Sequence, residues 1–307
     1  MRKSSLAGVS HRLAPALLVL LFVACGGRPT VTLALLGDLM LGRGVAPQPD
    51  SLAYLSPDLT SADLALANLE SPLASGVDQP VNPAPGYNLC ASSARADLLP
   101  AWGFDLLSLA NNHSLDCGPD GPTGTRSALE AAGITPIGPG MEPVYRKVND
   151  LQLAFLAFDD ISSPLDENAA VQAISSAHAA GVLVIVSVHW GAEYQAGASD
   201  RQKTLAKQFA DAGAALIWGH HPHVLQPAAW IETAWGKTLV LYSLGNALFD
   251  QGGLDDTRRS ALVLLTLDPD GVSAVRTLPF EIDVRNSRVV QPDAASADKI
   301  KARLDLP

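Results

Sequence analysis

Seven short apolar runs, each ending on polar side chains and most separated by stretches with helical punctuation, constrain the fold of this chain more than any other feature. Residues 31–37 (VTLALLG) run into Asp38. Residues 64–67 run into Asn68-Leu69-Glu70, and 104–110 into Asn111-Asn112-His113. Residues 151–158 lead to Asp159-Asp160, 182–188 to His189-Trp190-Gly191, and 215–218 to Gly219-His220-His221-Pro222-His223. Residues 238–242 lead to Ser243-Leu244-Gly245-Asn246. Each run is too short and too sharply punctuated for a buried helix, so each reads as a buried strand. Two further apolar segments, 261–267 and 272–284, flank Asp268-Pro269-Asp270-Gly271. That turn sequence predicts a closing hairpin.

Helical stretches fall between the strands. Residues 123–132, 166–180 and 199–212 end at Gly133, Gly181 and Gly213, and Ser199 is placed to cap the third. Strand and helix in alternation imply an α/β layered fold. The segment 77–90, rich in Pro, Asn and Gly, is expected to be a surface excursion able to overhang a site. In sheets of this kind ligands gather at the carboxyl ends of strands. Asp38, Glu70, Asn112, His113, His189, His220, His221, His223 and Asn246 are therefore expected to converge. Taken singly, each has a bland reading as a turn former or a satisfied core residue. Jointly they point to a site for one or two divalent metal ions, because five of the seven histidines fall at strand ends. Of the other two, His11 lies near the N-terminus and His178 on a helix, where it reads as surface or packing.

The N-terminus carries Arg2, Lys3 and Arg12 ahead of an apolar stretch, 16–24, too short for an ordinary membrane span. It ends at Ala24-Cys25-Gly26-Gly27, which resembles a lipobox with Phe22 where Leu is usual. Residues 1–24 are therefore expected to be a lipoprotein-type signal peptide, with Cys25 lipidated. Residues 25–30 read as a linker, 31–285 as the folded domain and 286–307 as a C-terminal tail. The expected location is outside the cytoplasmic membrane, held to the envelope by the lipid. Removing residues 1–24 takes away three basic and no acidic residues. What remains has 18 basic and 31 acidic residues, a net charge of −13 with His neutral. With no basic stripe, such a chain is a poor nucleic-acid binder. Past Cys25 only Cys90 and Cys117 remain. They read either as one disulfide, which an exported protein can keep, or as two unrelated thiols.

Six segments occur in an order that resembles the CapA family of poly-γ-glutamate capsule proteins. They are Gly37-Asp38-Leu39-Met40-Leu41-Gly42-Arg43, Ala67-Asn68-Leu69-Glu70, Ala110-Asn111-Asn112-His113, His189-Trp190-Gly191-Ala192-Glu193-Tyr194, Gly219-His220-His221-Pro222-His223 and Tyr242-Ser243-Leu244-Gly245-Asn246. The resemblance spans about 31–250. Proteins of that family are similar to calcineurin-like metallophosphoesterases, which implies a four-layer α-β-β-α sandwich. It also implies that Asp38, Glu70 as the bridging carboxylate, Asn112, His189, His221 and His223 are metal ligands, with His113 as proton donor to a leaving group. Met40 departs from the pattern, standing where the superfamily has a histidine. His220 is then expected to compensate, or one ion binds weakly.

A mixed His, carboxylate and Asn set suits Mn, Fe or Zn. Two such ions about 4 Å apart can clamp the attacking and leaving oxygens of a phosphoester. Glu193 and Asp116 lie near the ligands in sequence and read either as carboxylates that orient a histidine or as surface charge. Arg43 is the basic residue nearest a ligand strand, placed either to grip an anionic substrate or to pair within its loop. Asn246 is a further candidate substrate contact. The resemblance implies a role in poly-γ-glutamate synthesis, export or surface retention. Three readings follow: a metal-dependent hydrolase acting on a phosphoester or anionic polymer, a non-catalytic polymer-binding accessory subunit of a membrane polymer synthase, or a hydrolase or transferase acting on the γ-glutamyl amide.

Overall fold

A computed structural model describes residues 28–77 and 87–306. The expected signal peptide and Cys25 lie outside the described residues, as does most of the 77–90 excursion. In chain order the strands and helices are β1 (Val31–Leu39), α1 (Ser56–Ser61), β2 (Leu64–Leu69), β3 (Leu73–Ala74), β4 (Ala91–Ser92), α2 (Leu98–Trp102), β5 (Leu106–Ser108) and α3 (Gly121–Ala131). There follow β6 (Thr135–Ile137), β7 (Gly140–Val148), β8 (Leu151–Asp159), α4 (Glu167–Ala179), β9 (Leu183–His189), α5 (Asp200–Asp211), β10 (Ala214–His220) and β11 (Leu225–Thr233). The chain closes with β12 (Gly236–Leu244), β13 (Asn246–Leu248), β14 (Arg259–Asp268), β15 (Gly271–Asp283), β16 (Arg288–Val290) and α6 (Ala294–Leu304).

Two sheets carry the fold. One runs β16-β15-β14-β1-β2-β5-β6, with β13 also on β1; the other runs β11-β12-β10-β9-β8-β7. The two-residue period of a strand sorts its side chains onto opposite faces. In β1 and β2, Leu33, Leu35 and Leu66 face the second sheet and meet Phe155, Ile185, Trp218 and Leu241. Ala34, Leu36, Ala65 and Ala67 face the other way, under Leu59 of α1, Leu99 and Trp102 of α2 and Leu129 of α3. In the second sheet Leu156, Val184, Val186 and Val240 turn outward beneath Ile174 of α4 and Leu205 and Phe209 of α5. The result is the expected α-β-β-α sandwich, with three apolar layers between four layers of secondary structure. Each fully buried Leu, Val or Phe contributes about 1.5–3 kcal/mol to holding the layers together. At the start of α5, Ser199 and Gln202 form a reciprocal capping box, as the Ser199 cap led one to expect.

Three of the strands that escaped the sequence reading contain proline: Pro136 in β6, Pro143 in β7 and Pro227 in β11. Each lies at the edge of its sheet, where a missing N–H costs no ladder bond. Residues 288–304, read as tail, form β16 and α6. Ile300 and Leu304 are buried in the middle apolar layer. His178 packs against Trp235 with ring centroids 4.9 Å apart, in keeping with the packing role expected for it. Cys90 and Cys117 form a disulfide.

The topology fixes where the polar strand ends go. β1, β2 and β5 are parallel, and their register sets Asp38 beside Asn68 and Asn68 beside Ser108. β8, β9 and β10 are also parallel, setting Asp159 beside His189 and His189 beside His220. β13 pairs with β1 and brings Asn246 next to Asp38. Neighbouring backbone closes tightly on two glycines just upstream of site residues. A Cβ on Gly37 would lie 1.8 Å from the Gly245 carbonyl oxygen, and one on Gly219 would lie 2.1 Å from that of Tyr242. Only glycine fits at either place.

Candidate metal centre

Nine strand-end residues were expected to converge, and the structure brings all nine to the same rim. Asp38, Glu70, Asn112 and His113 come from the first sheet; His189, His220, His221 and His223 come from the second; Asn246 follows the crossover back to β1. Two overlapping triads stand out. Potential ligand atoms of Asp38, Glu70 and His223 lie within 4.8 Å of one another, and so do those of Glu70, His189 and His221. Glu70 is common to both. Its Oε1 lies 3.7 Å from His189 Nε2, 3.7 Å from His223 Nε2 and 3.8 Å from His113 Nε2.

Hydrogen bonds aim these groups. Asp38 Oδ1 accepts from Asn68 Nδ2 at 2.8 Å, and Asp38 Oδ2 accepts from the His221 N–H at 3.1 Å. Asn112 Oδ1 lies 2.8 Å from His189 Nε2, so an amide oxygen and an imidazole nitrogen face the same point. Asn246 Oδ1 accepts from His223 Nδ1 at 2.9 Å, which leaves Nε2 of that ring facing Glu70. His113 Nδ1 lies 2.8 Å from Asp116 Oδ2, and Asp116 Oδ2 also accepts from the Leu89 N–H at 2.6 Å. Asp116 therefore orients His113, one of the two roles open to it in the sequence.

Two expected substrate contacts are arranged differently. Asn246 is fully buried, and its amide nitrogen donates to Gln251 Oε1 and the Thr257 carbonyl. It positions His223 rather than meeting a substrate. Arg43 lines the mouth, but its guanidinium is held bidentately by Asp250, with Nε donating at 2.7 Å. Its reach toward an anion is correspondingly reduced, and the pairing within the loop is the arrangement present. Met40 is fully buried in the apolar layer beneath α1–α3 and offers nothing to the centre. His220 belongs to neither triad; its Nδ1 lies 3.6 Å from Asp38 Oδ1. Asn68 and Asn111, which lie in the strand-end motifs, support the ligands from behind. Asn111 donates to Asn68 Oδ1 at 3.2 Å and to the Leu69 carbonyl at 2.9 Å, completing a chain that holds Asp38.

Electrostatically the centre is prepared for a cation. Burial, tempered by the bonds from Asn68 and the His221 N–H, lifts the Asp38 carboxyl to about 7. Burial and then the charge of Asp38 raise Glu70 well above the carboxylate range. Burial pushes His220 and His223 down to about 3 and holds His189 well below its ordinary value. His221 is lowered by burial too. Both carboxylate oxygens of Glu70, both ring nitrogens of His220 and Nδ1 of His221 are buried with no hydrogen-bond partner among the described residues. Leaving such atoms unpaired costs about 1–3 kcal/mol each. A divalent ion would satisfy the Glu70 and His221 atoms together, and neutral imidazoles with carboxylate and amide oxygens are the donors that Mn, Fe or Zn take. The residues present fit such an ion.

A cavity of about 240 Å³ opens beside the centre. Its lining includes Tyr87, His113, Glu193, Tyr194, His223 and Phe249.

A family model described as bacterial capsule synthesis protein PGA_cap matches residues 32–251. The PGA biosynthesis protein CapA of Bacillus subtilis (strain 168) is 31% identical over 289 residues, covering 84% of this chain and 73% of that protein. A probable polyglutamine synthesis accessory protein of Mycobacterium tuberculosis (strain CDC 1551 / Oshkosh) is 26% identical over 348 residues, covering 87% of this chain and 89% of that one. Among solved structures, a hypothetical protein from Thermus thermophilus superposes with a TM-score of 0.51 at 18% identity. The match covers 81% of this chain and 99% of that one, a likeness of fold.

Proposed function

The chain belongs to the bacterial capsule synthesis protein family, and from that premise we propose that it is an exported, lipid-anchored, metal-dependent hydrolase of metallophosphoesterase type that acts in capsule or poly-γ-glutamate metabolism. The observation that carries the reading is Glu70, fully buried, shared by two ligand triads and faced by a histidine outside both. A pure cation-binding site has no use for His113, whose ring is oriented by Asp116 and points Nε2 into the centre.

Bound divalent cations would supply the positive charge that a phosphoryl or acyl group needs and would acidify water beside it. Asp38, Glu70, Asn112, His189, His221 and His223 would hold them. Asn246 fixes the His223 ring and Asn68 fixes the Asp38 carboxylate, so the donors are set before an ion arrives. His113 then holds a proton on Nε2 for the leaving oxygen while Asp116 binds the other ring nitrogen. Such a positioned acid contributes about 10²–10⁴ in rate. With Arg43 paired to Asp250, substrate anions would be drawn by the metal charge rather than by a basic groove. The acidic surface repels them only within a Debye length of about 8 Å.

A second reading is a non-catalytic, polymer-binding accessory subunit of a membrane synthase. It draws support from the M. tuberculosis relative's name as an accessory protein. Purified full chain loaded with Mn(II) or Zn(II) separates the two. Turnover of an aryl phosphodiester or shortening of poly-γ-glutamate, lost in His113→Ala and Asp38→Ala, supports the hydrolase. Metal held without cleavage of either substrate sinks it and leaves the accessory reading. For the anchor, Cys25→Ser is expected to release the protein from membranes, and unchanged membrane association refutes lipidation there.

A further inference from the structure

The ligand set implied by resemblance leaves a gap where Met40 replaces an imidazole. Met40 cannot fill it, being buried on the helix side of its sheet. His220, the expected substitute, stands outside both triads and packs edge-on to Trp218 with centroids 4.4 Å apart. Glu193 is better placed. One of its carboxylate oxygens and a nitrogen from each of His221 and His223 lie within 4.8 Å of one another. His221 and His223 belong to different triads, so Glu193 is within reach of both ion positions.

The loop that carries Glu193 is built onto the histidine loop. The Trp190 N–H donates to the His220 carbonyl at 3.2 Å, and the Tyr194 N–H donates to the Pro222 carbonyl at 2.8 Å. Between them the chain turns through positive φ at Gly191 and at Tyr194. A non-glycine residue held at φ +62° costs about 1–3 kcal/mol, and such strain persists only where the surroundings enforce it. Independently, His221, 7% exposed, has Nδ1 buried with no hydrogen-bond partner among the described residues.

We infer that Glu193 is a direct ligand of the metal centre, supplying from the cavity side the donor that Met40 lacks. The inference rests on the reading of this centre as a divalent-metal site. It has a chemical consequence: an anionic oxygen replaces a neutral nitrogen. The loaded centre carries one less positive charge than an imidazole would give it, and its preference moves toward harder ions such as Mn(II).

The test uses the full chain as wild type, Glu193→Gln, Met40→Leu and His223→Ala. Chelator competition measures affinity for Mn(II) and Zn(II), and the visible spectrum of the Co(II)-loaded protein reports coordination. Glu193→Gln keeps the shape and a hydrogen-bonding oxygen, so a carboxylate that merely oriented a histidine would leave the Co(II) spectrum unmoved. The expected result is that Glu193→Gln weakens the looser ion by more than about tenfold and changes that spectrum, while Met40→Leu does neither. Unaltered affinity and spectrum in Glu193→Gln, with His223→Ala impaired, overturn the assignment of Glu193 alone. A wild-type chain that takes up none of the three ions overturns the metal centre itself. Should Glu193→Gln fail to fold, a crystal structure of the loaded wild type decides: a Glu193 oxygen about 2.0–2.2 Å from an ion supports the inference, and one beyond about 3 Å ends it.

Discussion

Glu70→Gln is expected to stabilise the metal-free protein and to destabilise the metal-treated one relative to wild type. Glu70 is fully buried, and neither carboxylate oxygen has a hydrogen-bond partner among the described residues. An unpaired buried acceptor costs about 1–3 kcal/mol, and more when it is charged. Gln keeps the shape, loses the charge and gains an N–H₂ facing Nε2 of His223, which the Nδ1–H bond to Asn246 leaves unprotonated and which lies 3.7 Å from the present oxygen. The metal-free variant should therefore be more stable by about 1–3 kcal/mol at pH 8. For a chain of this size that is roughly 2 °C in Tm per kcal/mol. The pH dependence checks the cause. Burial and the Asp38 charge raise the Glu70 carboxyl in the folded protein, so the folded state keeps a proton that the unfolded state loses. Wild-type stability from this group is complete below the unfolded value of about 4.3 and falls as pH rises through the folded one. The variant lacks that decline, so its advantage should vanish near pH 4 and grow toward pH 8. With an ion at about a thousand times its Kd the order reverses, because wild type gains about 4.1 kcal/mol that the variant largely forgoes. Thermal melts at pH 4, 6 and 8, with chelator and with Mn(II), measure all three points. A metal-free variant less stable than wild type at every pH would refute the argument, because Glu70 would then be a structural group and not one held ready for a cation.

Three further outcomes follow from the geometry. Burial lifts Asp38 to about 7 and holds Glu70 well above the ordinary carboxylate value, so loading an ion at pH 6 should release protons and affinity should keep rising with pH through 7; His223, down at about 3, has none to give. Calorimetry in two buffers of different ionisation enthalpy counts those protons, and a count of zero at pH 6 contradicts the prediction. Cys117→Ser frees the segment holding Asp116 from the one holding Leu89, so turnover should fall by up to about a hundredfold while metal content stays unchanged; equal loss of both would mean the bridge merely holds the fold. Gly37→Ala forces a methyl onto the Gly245 carbonyl and should cost at least about 3 kcal/mol in a denaturant melt, against a few tenths for Gly253→Ala, whose Cβ would meet open space.

Layering was legible because the runs that formed β1, β2, β8, β9, β10 and β12 are apolar on both faces, as strands covered on both sides must be. Edge strands were not. β7 alternates exposed and half-buried residues, and β11 is mostly half-buried, so each lacks the hydrophobic run that marks a central strand, and each carries a proline that argues against a strand anywhere but an edge. The short β16 and the amphipathic α6 were passed over for a related reason. Their buried apolar side chains, Val289, Ile300 and Leu304, are spaced too sparsely to outweigh the polar residues around them.

At the centre the residue types were legible and their division of labour was not. A polar residue after a strand reaches the rim whatever its task, since register alone puts Asp38, Asn68, His189 and His220 in their rows. Whether it then faces the ion, a neighbouring ligand or the cavity depends on the other sheet, and the sequence holds no local trace of that. Asn246 shows the point. It sits in a strand-end motif like Asn112, but the crossover from β12 to β13 lays it against β1, where it is buried under His223 and becomes a support. The same arrangement ties metal to fold. Each triad takes residues from both sheets: Asp38 and Glu70 from one with His223 from the other, and Glu70 from one with His189 and His221 from the other. An ion bound there is a crosslink between the two halves of the sandwich at the rim, where apolar packing gives way to unpaired carboxylate and imidazole. Its binding free energy therefore adds directly to the free energy of sheet–sheet association, and opening of that rim is the first local motion that metal removal should release.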